Sequence, residues 1–249
     1  MKRFFTPELK KVIFFDMNQT LMDPQQSFNE GLIQTLKEYM GRWQSDDITT
    51  HEKILQVYWE ELHKKKLVKG KQSMKKTAIQ QACLAVALKS YPLPEKEAFL
   101  RSFLHRTKEH QDQNPQLYTD VKETLEQLSK KPYRLAIISN GNRTKQEQQI
   151  NVLGLNNLIP SSHHFTPQKG STRKPHPAFF RYALESMGIT ANHGVMVGNS
   201  WKSDVLGAVS AGLDVVWLQP TLAKQSSLRK IGGQRVVVVR KFEQLNHVF

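Results

Sequence analysis

The sequence predicts an α/β fold in which a parallel sheet carries helices on both faces and an all-helical subdomain is inserted after the first strand. Three observations lead there. From Tyr118 onward, apolar strand-like runs alternate with helix-period segments, the order of strand, crossover and parallel strand. One more buried strand, Val12-Ile13-Phe14-Phe15, stands alone near the start. Between Pro24 and Pro115 only helical periodicity is found, so this block is most economically an insertion into a single sheet. At 249 residues the chain is long enough for one good core and such an insertion.

In the inserted block, Phe28, Leu32, Ile33, Leu36, Tyr39 and Met40 recur at helix spacing. Ile54, Leu55, Tyr58 and Leu62 make a second stripe, Ile79, Ala82, Cys83 and Val86 a third, and Phe99, Leu100, Phe103 and Leu104 a fourth. After Tyr118, VKETLEQLSKK reads as a helix and RLAIISNG as a buried strand ending in a polar turn. RTKQEQQINVLGL and PAFFRYALESMG read as helices, GVMVGNS as a strand and SDVLGAVSAG as a helix, before strands in DVVWLQ and RVVVV. The predicted division is a Rossmann-like core of residues 1–22 and 116–249 and a helical subdomain of residues 23–115.

Composition narrows the function classes. A single cysteine, Cys83, in an Ala-rich apolar stretch excludes an internal disulfide and reads as a small buried hydrophobe in a reducing compartment. Thr6-Pro7-Glu8 interrupts the basic, Phe-containing start before any apolar run of signal length, and no later run is long enough to span a bilayer. A cytoplasmic protein without a membrane partner is the expectation. Thirty-six Lys and Arg against 22 Asp and Glu give a formal charge of +14, a field that concentrates anionic ligands. Lys64, Lys65, Lys66, Lys69, Lys71, Lys75 and Lys76 cluster as a solvated surface or a steering patch for a phosphorylated substrate. No zinc-finger, RNP-type or basic-zipper pattern accompanies them, so nucleic acid is not the expected partner.

In open α/β sheets ligands sit beyond the carboxyl ends of the strands. Three strands end there in polar groups: Asp16 to Thr20 after the first, Ser139-Asn140-Gly141 after LAII, and Gly198-Asn199-Ser200 with Asp204 after VMV. A fourth element, RKPHP, sets Lys174 before a proline, and Pro177 is suited to opening the next helix. Taken singly these are ordinary: Asp204 reads as a helix N-cap, His176 as a loop residue, and His163 and His164 lack partners in metal spacing.

In this order along the chain, the four segments resemble the motifs of the haloacid dehalogenase-like (HAD) hydrolases, in the branch whose helical cap follows the first motif. The D-x-D-x-T motif is matched by Asp16, Met17, Asn18, Gln19 and Thr20, the second motif by Ser139, the third by Lys174 and the fourth by Asn199 and Asp204. The resemblance implies phosphoryl transfer in which Asp16 is the nucleophile and forms an aspartyl-phosphate. It implies Mg2+ held by the Asp16 carboxylate, the Asn18 backbone carbonyl and the Asp204 carboxylate. Lys174 would neutralise the crowded charge, and Ser139, Asn140, Gly141 and Thr20 would bind a small anionic phosphorylated substrate.

Two acids of the pattern are missing. Asn18 stands where a proton donor to the leaving group belongs, and an amide forfeits a factor of roughly 10²–10⁴ where that proton is needed. Asn199 removes a further negative charge near the metal position. Three functions are compatible with these departures: a magnesium-dependent phosphatase of low or specialised activity, a metal-independent dehalogenase, or a non-catalytic binder of a phospholigand or partner. Dehalogenases of the resembled family carry an aromatic residue and Gly where this chain has Asn18 and Gln19.

Overall fold

The computed structural model describes residues 4–40, 48–67, 75–168, 170–221 and 227–249. Lys69 and Lys71 of the basic cluster, and the Lys66 side chain, lie outside the described residues. The chain divides into two compact units, Met1–Pro24 with Pro115–Phe249, and Gln25–Asn114.

The first unit is built on a seven-stranded sheet of order β3-β2-β1-β4-β5-β7-β6. Its strands are β1 (Val12–Phe15), β2 (Arg134–Ile138), β3 (His164–Phe165), β4 (Gly194–Gly198), β5 (Asp214–Leu218), β6 (Ser227–Ile231) and β7 (Gln234–Val239). All neighbours are parallel except β6, which pairs antiparallel with β7. β1 is buried at every position because both faces are covered, and its side chains alternate between two cores. Ile13 and Phe15 pack with Val195, Val197 and the apolar stripe of a helix at Val121–Ser129. Val12 and Phe14 pack with Met196 and with Phe179, Phe180 and Leu184 of a helix at Pro177–Ser186. This is the three-layer arrangement that the continuous apolar runs predict.

The sequence reading lacks β3 and β6. β3 is two residues long and carries no periodicity to read. β6 has only partly buried and exposed side chains, with Arg229 and Lys230 on the sheet edge, where charge discourages pairing with another chain. Its signal is the turn: Gly232 and Gly233 both have positive φ, 54° and 86°, the geometry of a tight hairpin.

The second unit contains α1 (Pro24–Met40), all but its first residue, together with α2 (Ile48–Leu67), α3 (Lys76–Leu88) and α4 (Glu97–Gln113). Phe28, Leu32 and Leu36 of α1 share a core with Ile54 and Tyr58 of α2, Ile79, Cys83 and Leu84 of α3, and Leu100 and Phe103 of α4. Cys83 is buried and free. Tyr39 and Val86, placed in the apolar stripes by spacing, are 40% and 45% exposed and lie at the stripe margins. Among the described residues no helix is long and apolar enough to cross a membrane.

At the other end of the sheet from the polar loops, Asp214 accepts hydrogen bonds from the Arg235 backbone N–H at 2.7 Å and guanidinium at 2.9 Å, and pairs with Lys10 Nζ at 2.9 Å. Burial alone raises the Asp214 pKa, but these donors outweigh it and hold the group below its ordinary 3.8. Burial lowers the pKa of Lys10, and the contact with Asp214, which favours the ammonium, offsets this only in part. Breaking a buried pair on one side leaves an uncompensated charge, so Asp214→Asn is expected to lose about 3–5 kcal/mol at neutral pH in urea unfolding. Because the folded pKa is depressed, this contribution is present above pH 3.8 and disappears as pH falls through the folded value. The gap between wild type and variant should close over that acidic window.

Candidate active site

β1 lies between β2 and β4, so the loops leaving these three strands converge at their carboxyl ends. Asp16 follows β1 directly and its N–H still donates to Val197 O at 2.9 Å, which fixes the backbone as an extension of the sheet. The two acids and the lysine of the sequence motifs meet there. Lys174 Nζ donates to Asp16 Oδ1 at 2.6 Å and to Asp204 Oδ1 at 2.7 Å, with Lys174 and Asp204 buried to 3% and 1% exposure.

Each member of this triad is held from behind. Asn140 clasps the Lys174 backbone reciprocally: its Nδ2 donates to Lys174 O at 2.8 Å and its Oδ1 accepts from Lys174 N at 2.9 Å. Asp204 lies in a π-helical turn, Trp201–Leu206, that runs into a short helix at Gly207–Ser210. Single π turns are frequent at functional sites. Asp204 Oδ2 accepts from Ser200 N at 2.9 Å while Ser200 Oγ accepts from Ser203 N at 3.2 Å. The N-cap is thus Ser200, not Asp204 as the sequence suggests: Asp204 lies one turn inside, where one oxygen accepts from the N-cap N–H and the other meets Lys174.

Two glycines permit the close approach. A Cβ at Gly198 would lie 2.5 Å from the Asp204 carboxylate, and one at Gly207 would lie 2.9 Å from the backbone of Pro175, the residue after Lys174.

The remaining sequence candidates are distributed around the triad. Thr20 is fully buried, with Oγ1 3.4 Å from Asp16 Oδ2 and 3.3 Å from Asn199 Oδ1, so it meets the site through these neighbours. Ser139 is buried and its Oγ accepts from Gly141 N at 3.3 Å. Asn18 is exposed. His176 caps the following helix through Nδ1, which accepts from Ala178 N at 3.2 Å. His163 and His164 bond backbone carbonyls of Leu135 and Ile159. The bonding of the Asn140 and Asn199 side chains escaped the sequence reading, because side-chain partners distant in the chain leave no local spacing signal.

Burial raises the Asp16 pKa; the Lys174 charge and hydrogen bond oppose this, while the nearby Asp204 charge adds to it. The site thus holds a carboxylate at a cost in solvation, offset by one ammonium that is itself shared.

Comparison with known proteins gives this geometry a context. Residues 13–218 match the family model described as haloacid dehalogenase-like hydrolase. The chain is 33% identical to a glyceraldehyde 3-phosphate phosphatase of Methanothermobacter thermautotrophicus over 53% of its own length and 58% of that protein, so this match spans little more than half of the relative. It is 30% identical to a phosphoglycolate phosphatase of Colwellia psychrerythraea over 84% of each chain. The magnesium-bound structure of YfnB from Bacillus subtilis shares the fold with a TM-score of 0.59 and 21% identity, over 96% of this chain and 98% of that one.

Gly198→Ala tests whether close approach builds the triad. The added methyl forces the Asp204 carboxylate away from Lys174, and the expected loss is about 1–3 kcal/mol in urea unfolding, typical of overpacking. Unchanged stability would mean that Asp204 moves freely.

Proposed function

The chain belongs to the haloacid dehalogenase-like hydrolases, and from that premise we propose that it is a phosphatase acting on a small phosphorylated metabolite through an aspartyl-phosphate at Asp16. The observation that carries this is the arrangement of the Asp16 carboxylate: Lys174 holds Oδ1 at 2.6 Å, the Thr20 hydroxyl lies 3.4 Å from Oδ2, and the Met17 backbone also bonds the carboxylate. One oxygen is thereby oriented and the other keeps a lone pair for phosphorus. The phosphatase names of the relatives support the same reaction.

In the proposed first step Asp16 Oδ2 attacks phosphorus and the bond to the leaving oxygen breaks. Lys174 offsets the negative charge gathered where nucleophile and phosphoryl group meet. Ser139 and the backbone N–H groups of Asn140 and Gly141 take the non-bridging oxygens. Asn18 donates a hydrogen bond to the departing oxygen but has no proton to transfer at neutral pH. Water then hydrolyses the aspartyl-phosphate and regenerates Asp16.

The residues also fit a magnesium ion. Among the described residues no group of three or more His, Cys, Asp or Glu side chains forms a metal site, but two carboxylates share one ammonium, and the donors are all oxygen. Hard oxygen donors suit magnesium better than a softer metal. Asp16, Asp204 and the Asn18 backbone carbonyl would hold it, and the ion would supply charge neutralisation for the phosphoryl group.

A panel of phosphorylated metabolites assayed for phosphate release with and without magnesium tests the proposal. Release of halide from a 2-haloacid in place of phosphate would make the protein a dehalogenase, and turnover of neither class would leave a binding function. Asp16→Asn should abolish phosphate release without lowering the melting temperature, since it removes a buried charge. Asn18→Asp should accelerate cleavage of a sugar phosphate by up to roughly 10²–10⁴, the worth of a general acid, while changing the first step with p-nitrophenyl phosphate little. Single-turnover kinetics separates this effect from faster hydrolysis of the aspartyl-phosphate.

A further inference from the structure

We propose that Gln19 and Asn199 form an amide latch that positions the loop after β1, which begins at Asp16. Among the described residues Gln19 is the only non-glycine residue with positive φ, 61°, a conformation that glycine adopts without steric cost. Its side chain accounts for its presence: Asn199 Nδ2 donates to Gln19 Oε1 at 3.1 Å. The other end of the Asn199 amide faces Thr20, whose single hydroxyl proton goes either to Asn199 Oδ1 at 3.3 Å or to Asp16 Oδ2 at 3.4 Å.

The latch has a fixed end and a held end. On the fixed side, Trp217 of β5 donates its indole N–H to Asn199 O at 3.0 Å, and its ring packs on Trp201 with centroids 4.7 Å apart. On the held side, the β1 loop closes with Gln19 N donating to Met22 O at 3.0 Å. An amide at position 199 offers a donor to Gln19 and an acceptor to Thr20 at once. An aspartate there only accepts, so Gln19 would have to turn its Nε2 toward it, and a charge would be added beside Asp16. Asn199 is thus a positioning residue selected for a donor and an acceptor on one side chain, and Gln19 is its partner.

The ordering of the loop is independent of the proposed reaction; its effect on rate rests on Asp16 as nucleophile. Backbone hydrogen exchange at Leu21 and Met22, both of which donate to Met17 O, reads the order directly. Exchange is measured in wild type, Gln19→Gly, Asn199→Ala and the double variant, with β4 amides as the control for global folding. Each single substitution should speed exchange of the loop about tenfold or more, as loss of a hydrogen bond implies, and the double variant should go no further than Asn199→Ala, which already removes the bond to Gln19 along with the acceptor for Thr20. Wild-type exchange in Asn199→Ala, or additive effects in the double variant, would overturn the latch. With any substrate that turns over, the singles should lower kcat roughly tenfold to a hundredfold with KM little changed, the signature of misplacement. Equal losses in KM would also count against it. If no phosphate ester is turned over, the exchange data still decide on the latch, and only the phosphatase reading fails.

Discussion

The site depends on one ammonium group placed between two carboxylates in a region nearly closed to water. Bringing Asp16 and Asp204 together out of solvent costs solvation twice and adds their mutual repulsion, and Lys174 is the positive charge that, among the described residues, pairs with both. Its geometry cannot be loose, because a cation shared at 2.6 and 2.7 Å stabilises both partners only while it stays between them. The surrounding structure follows from this demand. Asn140 grips the Lys174 backbone from the β2 loop, Gly207 lets a helix press against Pro175, and Gly198 leaves space for the Asp204 carboxylate. Three separate loops are thus held by one charge, and the place of β1 between β2 and β4 brings Asp16 to it.

How much of this is legible in the sequence differs by scale. The parallel core is readable because strands covered on both faces need uninterrupted apolar runs, as in Val12 to Phe15 and Gly194 to Gly198. The helical stripes are readable for the same reason, except at margins such as Val86, where spacing alone does not say how wide the buried face is. β6 escapes because an edge strand has no core to face, and only its paired glycines mark it. In the site, Asp16, Lys174 and Asp204 are visible as polar residues after strands or beside a proline. Their contacts are not visible, since Lys174 lies 158 residues from Asp16 and nothing local encodes their meeting. The cap role of Ser200, the clasp by Asn140 and the bonding of Asn199 belong to that second kind of information.

The replacement of acids by amides changes the electrostatics in two opposed directions. With Asp16 and Asp204 ionised and Lys174 charged, the triad carries one net negative charge, and Asn18 and Asn199 add none. Each acid restored at about 5 Å would repel an incoming phosphate charge by roughly 3 kcal/mol at an effective dielectric of about 20. The amides therefore ease the approach of an anion, in a chain whose formal charge of +14 already favours anions. The same change takes away charge that would hold a divalent cation and, at Asn18, the proton that an alkoxide needs in order to leave. Binding of the phosphoryl group and departure of its partner would thereby be uncoupled under the proposed function: what the amides give in the ground state they would withhold in the transition state. Under the proposed function, the group best matched to such a site is strongly anionic and leaves as a stable anion, since only then does the relief of repulsion come without the loss of proton transfer.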